Sequence, residues 1–282
     1  MHIFVAETSK PKADVLDVNI KEEISSDELD SLNSAFFVTG IYHSITQIHN
    51  IVLENGEDFK RYMHQDNLNA LRSSNISYEI MIMQANKHVL NYASSIKTYI
   101  DMETRLLNKY KSTVEEKLFH DICSKFYDEH IEYRFWSNFR NYVVHCEFPY
   151  TTFHAELDGN CNIICTKDHL LNFKNWKHSK ADIQAMGDII DLPALVDNMN
   201  GLIHALYLNF FTYFGGDIVK GTELYSSFCK KYNVKRPIIV KANTLSELKD
   251  GEGQLQPLPV RELYEAVSVL SMNPNVNIKF KT

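Results

Sequence analysis

Helix breakers are scarce in this chain. Ten glycines and seven prolines among 282 residues leave few points where a helix must stop, so long helices are expected. Positive charge is also in short supply. Lys and Arg number 29 against 36 Asp and Glu, for a formal net charge of −7. That balance disfavours broad, non-specific coating of nucleic acid, and a polyanionic ligand would need a local basic site. No run of about eighteen uninterrupted apolar residues occurs, so no membrane span is expected. The nearest stretch, Leu202 to Phe214, is short and holds His204, Asn209 and Thr212. The five cysteines (Cys123, Cys146, Cys161, Cys165 and Cys229) are odd in number and scattered, which is no disulfide framework. The opening Met1-His2-Ile3-Phe4-Val5-Ala6 lacks a basic region and a long apolar run, so it does not read as a signal peptide. A reducing cytoplasm is the expected compartment. A phosphate-binding loop, a nucleophile elbow, a dinucleotide fingerprint and a paired Cys/His motif are all missing.

What is present is a large, aromatic-rich core. Hydrophobic residues make up 44% and charged residues 23% of the chain, with fifteen Tyr and sixteen Phe. This length suits one large domain or two small ones. Apolar residues recur at helical spacing from Leu32 to Val52, after a start at Ser26-Asp27-Glu28 and with Asn55-Gly56 as the stop. A shorter helix is expected over 57–70 and a long one over 76–110, its core band including Ile80, Met83, Val89, Ala93, Ile96, Ile100, Leu106 and Leu107. Ser112-Thr113 caps the next helix, whose apolar face is Leu118, Phe119, Ile122 and Phe126; it either ends near Asp128-Glu129 or runs on to Glu147.

Pro149 forces a change of structure. Residues 151–166 then read as a β-hairpin around Asp158-Gly159. Helices are expected over 179–190 and from Pro193 to Phe214, with Gly215-Gly216 as a helix cap. The tail carries a strand at 237–240, a Gly/Gln/Pro-rich loop, a helix at 260–270 and a last strand at 276–280. The first 25 residues read as an edge strand and a loose lead-in. The expected class is mainly α: a helical bundle of residues 27–214 with the inserted hairpin, a lead-in of 1–26, and a mixed α/β extension of 215–282 packed on the bundle.

One stretch carries chemistry. On a helical wheel of residues 134–147, the apolar and aromatic side chains share a broad arc. Arg134, Asn138, Asn141 and His145 form a narrow stripe opposite, spaced four, three and four, with no carboxylate. Such a stripe suits a polyanion. Asn141 and His145 are i, i+4 and face the same way, so the amide can orient the imidazole. Imidazole is the side chain best suited to proton transfer near neutral pH. Arg140 lies five residues before His145, about 140° around an ideal helix. Either the last turn bends before Pro149, or two copies of the helix meet around a twofold axis.

The pattern Arg140-Asn141-x3-His145 within a helical bundle resembles the motif of the HEPN superfamily. That family consists broadly of ribonucleases and nucleotide-binding relatives, many from toxin–antitoxin, abortive-infection and other anti-phage systems. The resemblance implies a HEPN-like bundle and a metal-independent, cofactor-free endoribonuclease. Its composite site would lie at a homodimer interface, with Arg140, Asn141 and His145 as the functional residues. It implies attack of the ribose 2′-OH on the adjacent phosphate, leaving 2′,3′-cyclic phosphate and 5′-OH ends. RNA is then the substrate, and an antitoxin or regulatory protein is a further implied partner. Arg134 and Asn138, on the same stripe, are the expected substrate-binding groups. The alternative is a HEPN-like module that binds RNA, nucleotide or a partner protein without cutting.

Other constellations read more plainly. Cys161-x3-Cys165-x3-His169 has too wide a spacing and lacks a fourth ligand for zinc. Glu116 and His120 make an ordinary surface pair at i, i+4. His204, in an apolar helix, reads as a core histidine. Lys230, Lys231, Lys235, Arg236 and Lys241 form the most basic local run, a solvated surface unless it lies near the cleft.

Overall fold

A computed structural model describes residues 1–8, 18–156, 160–249 and 251–277. Two strands open the chain, β1 (His2–Thr8) and β2 (Val18–Glu23). Six helices follow: α1 (Ser26–Ala35), α2 (Phe37–Met63), α3 (Gln65–Ser73), α4 (Tyr78–Tyr110), α5 (Thr113–Glu129) and α6 (Ile131–His145). The strands β3 (Thr152–Ala155) and β4 (Cys161–Ile164) come next, then α7 (Lys167–Leu171) and α8 (Ser179–Ala185). A 3-10 turn at Pro193–Leu195 leads into α9 (Val196–Tyr213), followed by α10 (Gly215–Lys231). The chain continues through β5 (Pro237–Ala242), α11 (Leu245–Lys249), β6 (Gln254–Gln256) and α12 (Val260–Met272). The fold is mainly helical with small antiparallel sheets.

Contacts group residues 1–44 with 211–282 in one unit and residues 45–210 in another. The divisions fall inside α2 and inside the last turn of α9. The lead-in expected for residues 1–26 is therefore part of a sheet. Its order is β2-β1-β5-β6, every pair antiparallel. Instead of forming an edge, β1 is interior, and Ile3, Phe4, Val5 and Ala6 are buried. Four consecutive buried apolar residues mean that both faces of this strand are covered. In the same unit α1 lies against α10 so closely that a Cβ on Gly221 would sit 2.4 Å from the Ala35 carbonyl oxygen. The break after α9 falls at Phe214, and Gly215-Gly216 open α10 rather than cap its predecessor.

The unit of residues 45–210 holds the long helices. Local chemistry sets several ends. Ser112 and Glu115 form a reciprocal capping box at the start of α5. Asn75 takes a left-handed φ of 57° in the turn before α4, a conformation that asparagine tolerates. His130 is extended, with φ −120° and ψ 120°, and separates α5 from α6. Tertiary packing overrides local signals elsewhere. The helix expected to stop at Asn55-Gly56 runs through as α2, and the absent side chain of Gly56 makes room for Val196, Asn200 and Tyr92. Ile80 and Met83, expected in the core, are exposed, while Met81, Ala85, Tyr92 and Tyr99 face inward. The aromatic residues set the register of α4. Leu118 is exposed as well, leaving Phe119 as the buried residue of α5. The hairpin forms as β3 and β4, pairing Thr152 with Ile164 through Ala155 with Cys161. Its Asp158-Gly159 turn lies outside the described residues, as do residues 278–280 of the expected last strand.

Candidate functional site

The polar stripe belongs to α6. This helix contains no glycine or proline, and its apolar side chains recur with helical period. Tyr133, Phe135, Trp136, Phe139 and Tyr142 are buried. The indole of Trp176 lies between two of them, stacked on Phe135 at 5.6 Å and on Tyr142 at 5.4 Å. Its Nε1 donates to the Leu170 carbonyl at 2.6 Å. A fully buried aromatic anchor thus pins the segment between α7 and α8 against α6.

That anchoring builds the site. Asn141 and His145 are exposed and line a groove of about 440 Å³ together with Phe173, Lys174, Asn175 and Lys177. Lys174 and Lys177 come from the pinned segment. They supply the local positive charge that a polyanion requires on an acidic chain. Neither was singled out in the sequence, although Lys174, Trp176 and Lys177 form a short basic run around an aromatic. The lysines and α6 lie some 30 residues apart, and the packing of Phe173 and Trp176 on α6 brings them together.

Arg140 is exposed and has no hydrogen-bond or ion-pair partner among the described residues, but it does not line the groove. Helix α6 remains regular to His145, and the Cys146 amide still donates to the Tyr142 carbonyl at 2.8 Å. The last turn therefore does not bend. Arg140 stays about 140° around the helix from His145.

The other two residues of the stripe are bonded within the protein, Arg134 through most of its donors and Asn138 through its amide nitrogen. The Arg134 guanidinium pairs with Asp182 of α8 through Nε at 2.8 Å and Nη2 at 3.1 Å. Its Nη1 donates to the carbonyls of Tyr127 and Asp128. Four of its five donor positions are thus spoken for, and the bond to Asp182 raises its already high pKa. The stripe is free of acid in sequence but not in space. Asn138 is buried, its amide nitrogen facing Tyr127, the Arg134 carbonyl and Ser179. Arg134 therefore acts as a brace between α6 and α8 rather than as an open substrate-binding group. Glu147, next to the motif, pairs with His169 at 3.4 Å and accepts from Asn172.

The remaining polar clusters have structural explanations. Cys161 and Cys165 are buried in and beside the hairpin, and His169 bonds the Phe148 carbonyl at 2.7 Å. Burial pushes the Cys165 thiol up to about 12. Among the described residues, no group of three His, Cys, Asp or Glu side chains is placed to hold a metal ion. His204, expected in the core, is exposed; His49 is the buried histidine, stacked on Tyr207 at 4.2 Å and lowered by burial to about 4. In the unit that holds the C-terminal segment, Lys231 of the basic run is paired with Glu28, and the Lys235 amide donates to Glu7 at 2.9 Å. A cavity of about 430 Å³ among α3, β4 and the Pro193 turn is lined by Asp191 and no basic side chain, so it does not suit an anion. No helix among the described residues is long and apolar enough to cross a membrane. No family model, curated protein or solved structure matches the chain.

Proposed function

We propose that this chain is a metal-independent endoribonuclease of HEPN type, acting on RNA in prokaryotic anti-phage defence or as a toxin. One observation carries the reading: Asn141 and His145 open together onto a groove bordered by Lys174 and Lys177, with an unpaired Arg140 on the same helix. The lysines hold the RNA backbone. Asn141 orients the imidazole of His145. His145 serves the proton transfers as the ribose 2′ oxygen bonds to phosphorus and the bond to the 5′ oxygen breaks. The 2′-OH gives up a proton and the departing 5′ oxygen gains one, so the products are a 2′,3′-cyclic phosphate and a 5′-OH. The guanidinium stabilises the charge that grows on the non-bridging oxygens.

On a straight α6, Arg140 and His145 of one chain point to different sides. The site is therefore completed by a second copy, whose Arg140 enters the groove beside the first copy's His145. The purified protein should cleave RNA in EDTA and leave cyclic phosphate ends, and Arg140→Ala and His145→Ala should each abolish cutting. Cleavage that EDTA stops, or that both variants retain, would sink the mechanism. RNA binding with no turnover under any condition would instead favour the non-catalytic module.

A further inference from the structure

A second cavity, of about 330 Å³, adjoins the groove, and Asn141 and Lys177 form the wall shared by the two. Its character differs from that of the groove. Tyr127, Tyr133 and Trp136 line it, together with Ile100 and the amide of Asn138. It holds no carboxylate, and its only charged lining residues are Lys97 and Lys177. Lys97 is occupied by Asp101 at 2.5 Å. An apolar and aromatic slot beside a basic groove is suited to a flat heterocycle attached to a phosphate. The volume is at the small end for ligand pockets and admits one base rather than two.

Asn138 determines what the slot can read. The residue is 4% exposed. The amide nitrogen lies 3.2 Å from the Tyr127 hydroxyl, 2.9 Å from the Arg134 carbonyl and 3.0 Å from the Ser179 hydroxyl. A carbonyl can only accept, so the nitrogen must face Arg134 and the amide oxygen must turn away from it. That oxygen accepts no hydrogen bond among the described residues. The oxygen is not wholly enclosed, and on a residue that lines the cavity such an acceptor without a protein donor is open to a ligand N–H. Asn141, three residues on and on the same side of the helix, adds a second amide, whose nitrogen can donate to a base while its oxygen orients His145.

Lys177 is held firmly at the junction. Its φ of 53° lies in the left-handed region, which side chains other than glycine, asparagine and aspartate seldom enter. The conformation is fixed from both sides. Trp176 before it is fully buried, and Ser179 after it begins α8, with its amide donating to the Trp176 carbonyl at 3.1 Å.

We propose that this cavity is the base subsite of the RNA cleft and that it selects adenine next to the phosphate held at Lys177 and His145. The inference rests on the ribonuclease reading for its substrate class. Adenine presents an exocyclic amine to the Asn138 oxygen and a ring nitrogen to the Asn141 amide, so the two residues share the acceptor and donor roles that a single asparagine plays toward adenine. Guanine and uracil place a carbonyl oxygen where the amine must go, setting acceptor against acceptor. Cytosine keeps an amine but offers a smaller face for stacking.

The test uses uncleavable 2′-O-methyl octanucleotides of A, C, G and U with the wild-type protein, read by fluorescence anisotropy. The A oligomer should bind about tenfold or more tighter than the G and U oligomers. Ser137→Trp fills the slot and should remove that preference, with its fold checked by circular dichroism. Ile100→Phe, at a lining residue on α4, is the second variant should the first fail to fold. Equal affinity for the four oligomers, binding of none, or a preference that survives the filled slot would overturn the inference. Cleavable RNA assayed in parallel separates the two readings. Cutting without base preference leaves the ribonuclease and removes the subsite; adenine-selective binding without cutting does the reverse. Competition by free adenosine 3′-monophosphate distinguishes a free nucleotide from a base within RNA as the occupant.

Discussion

Replacing Arg134 with Met should destabilise the fold rather than strip a contact from RNA. In the native structure the guanidinium makes two bonds to Asp182, and both side chains are nearly covered, at 14% and 16% exposed. Two more bonds, at 2.9 and 2.6 Å, satisfy the carbonyls of Tyr127 and Asp128 at the end of α5. The substitution leaves a carboxylate with no counter-charge and two carbonyls with one donor fewer. Removing one partner of a fully buried ion pair costs about 3–5 kcal/mol. This pair lies just beneath the surface, where water screens what is left behind, so about 2–3 kcal/mol is expected. Asp182→Leu should cost less. The double variant should recover part of the loss, giving a coupling of about 1–2 kcal/mol. Urea denaturation of the four proteins measures these quantities, and anisotropy with labelled RNA follows binding. A loss of stability within about 0.5 kcal/mol of zero, together with weakened RNA binding in Arg134→Met, would refute the assignment and put the guanidinium on the substrate.

Gly56→Ala should lower stability by about 1–2 kcal/mol in urea denaturation: a gain in helix propensity of about 1 is outweighed by a Cβ 2.9 Å from Val196 and 3.0 Å from both Asn200 and Tyr92. Glu103 is buried, with its Oε1 on the Tyr99 hydroxyl at 2.5 Å and its Oε2 without a partner, and burial raises its carboxyl well above 4.5. Its contribution is therefore fully present below the unfolded pKa and is lost as pH rises through the folded one. Glu103→Gln should raise the urea midpoint at pH 8, with the gap closing toward pH 4. Lys177→Gly should relieve the left-handed backbone and leave the midpoint unchanged or up to about 1 kcal/mol higher, while RNA binding weakens and its salt dependence flattens by about one ion.

Features fixed by neighbours in sequence were legible, and features fixed by distant partners were not. Ser112 with Glu115, the two hairpin strands and the spans of α4, α5, α9 and α12 follow from local caps and periodicity, while the short α7 and α11 carry too few residues to show a period. Asn55-Gly56 has the chemistry of a stop, but nothing near it in sequence reveals that Val196 and Tyr92 need its space. Likewise Ile3-Phe4-Val5 reads as a strand, while its interior place depends on β5, more than 200 residues on. The same division runs through the site. Asn141 and His145 are one helical turn apart and could be placed on one face at once. Asp182, which occupies Arg134, and Lys174 and Lys177, which border the groove, are invisible on a wheel of α6.

Arg140 and His145 from different copies must form one phosphodiester-cutting site if the proposed cleavage is right. Mixing inactive Arg140→Ala and His145→Ala proteins in equal amounts, after exchange of protomers, tests it directly. About half of the dimers should then be mixed, each with one intact site, so RNA cleavage in EDTA should return to about one quarter of the wild-type rate. No recovery, from a mixture shown to contain mixed dimers, would contradict the shared site.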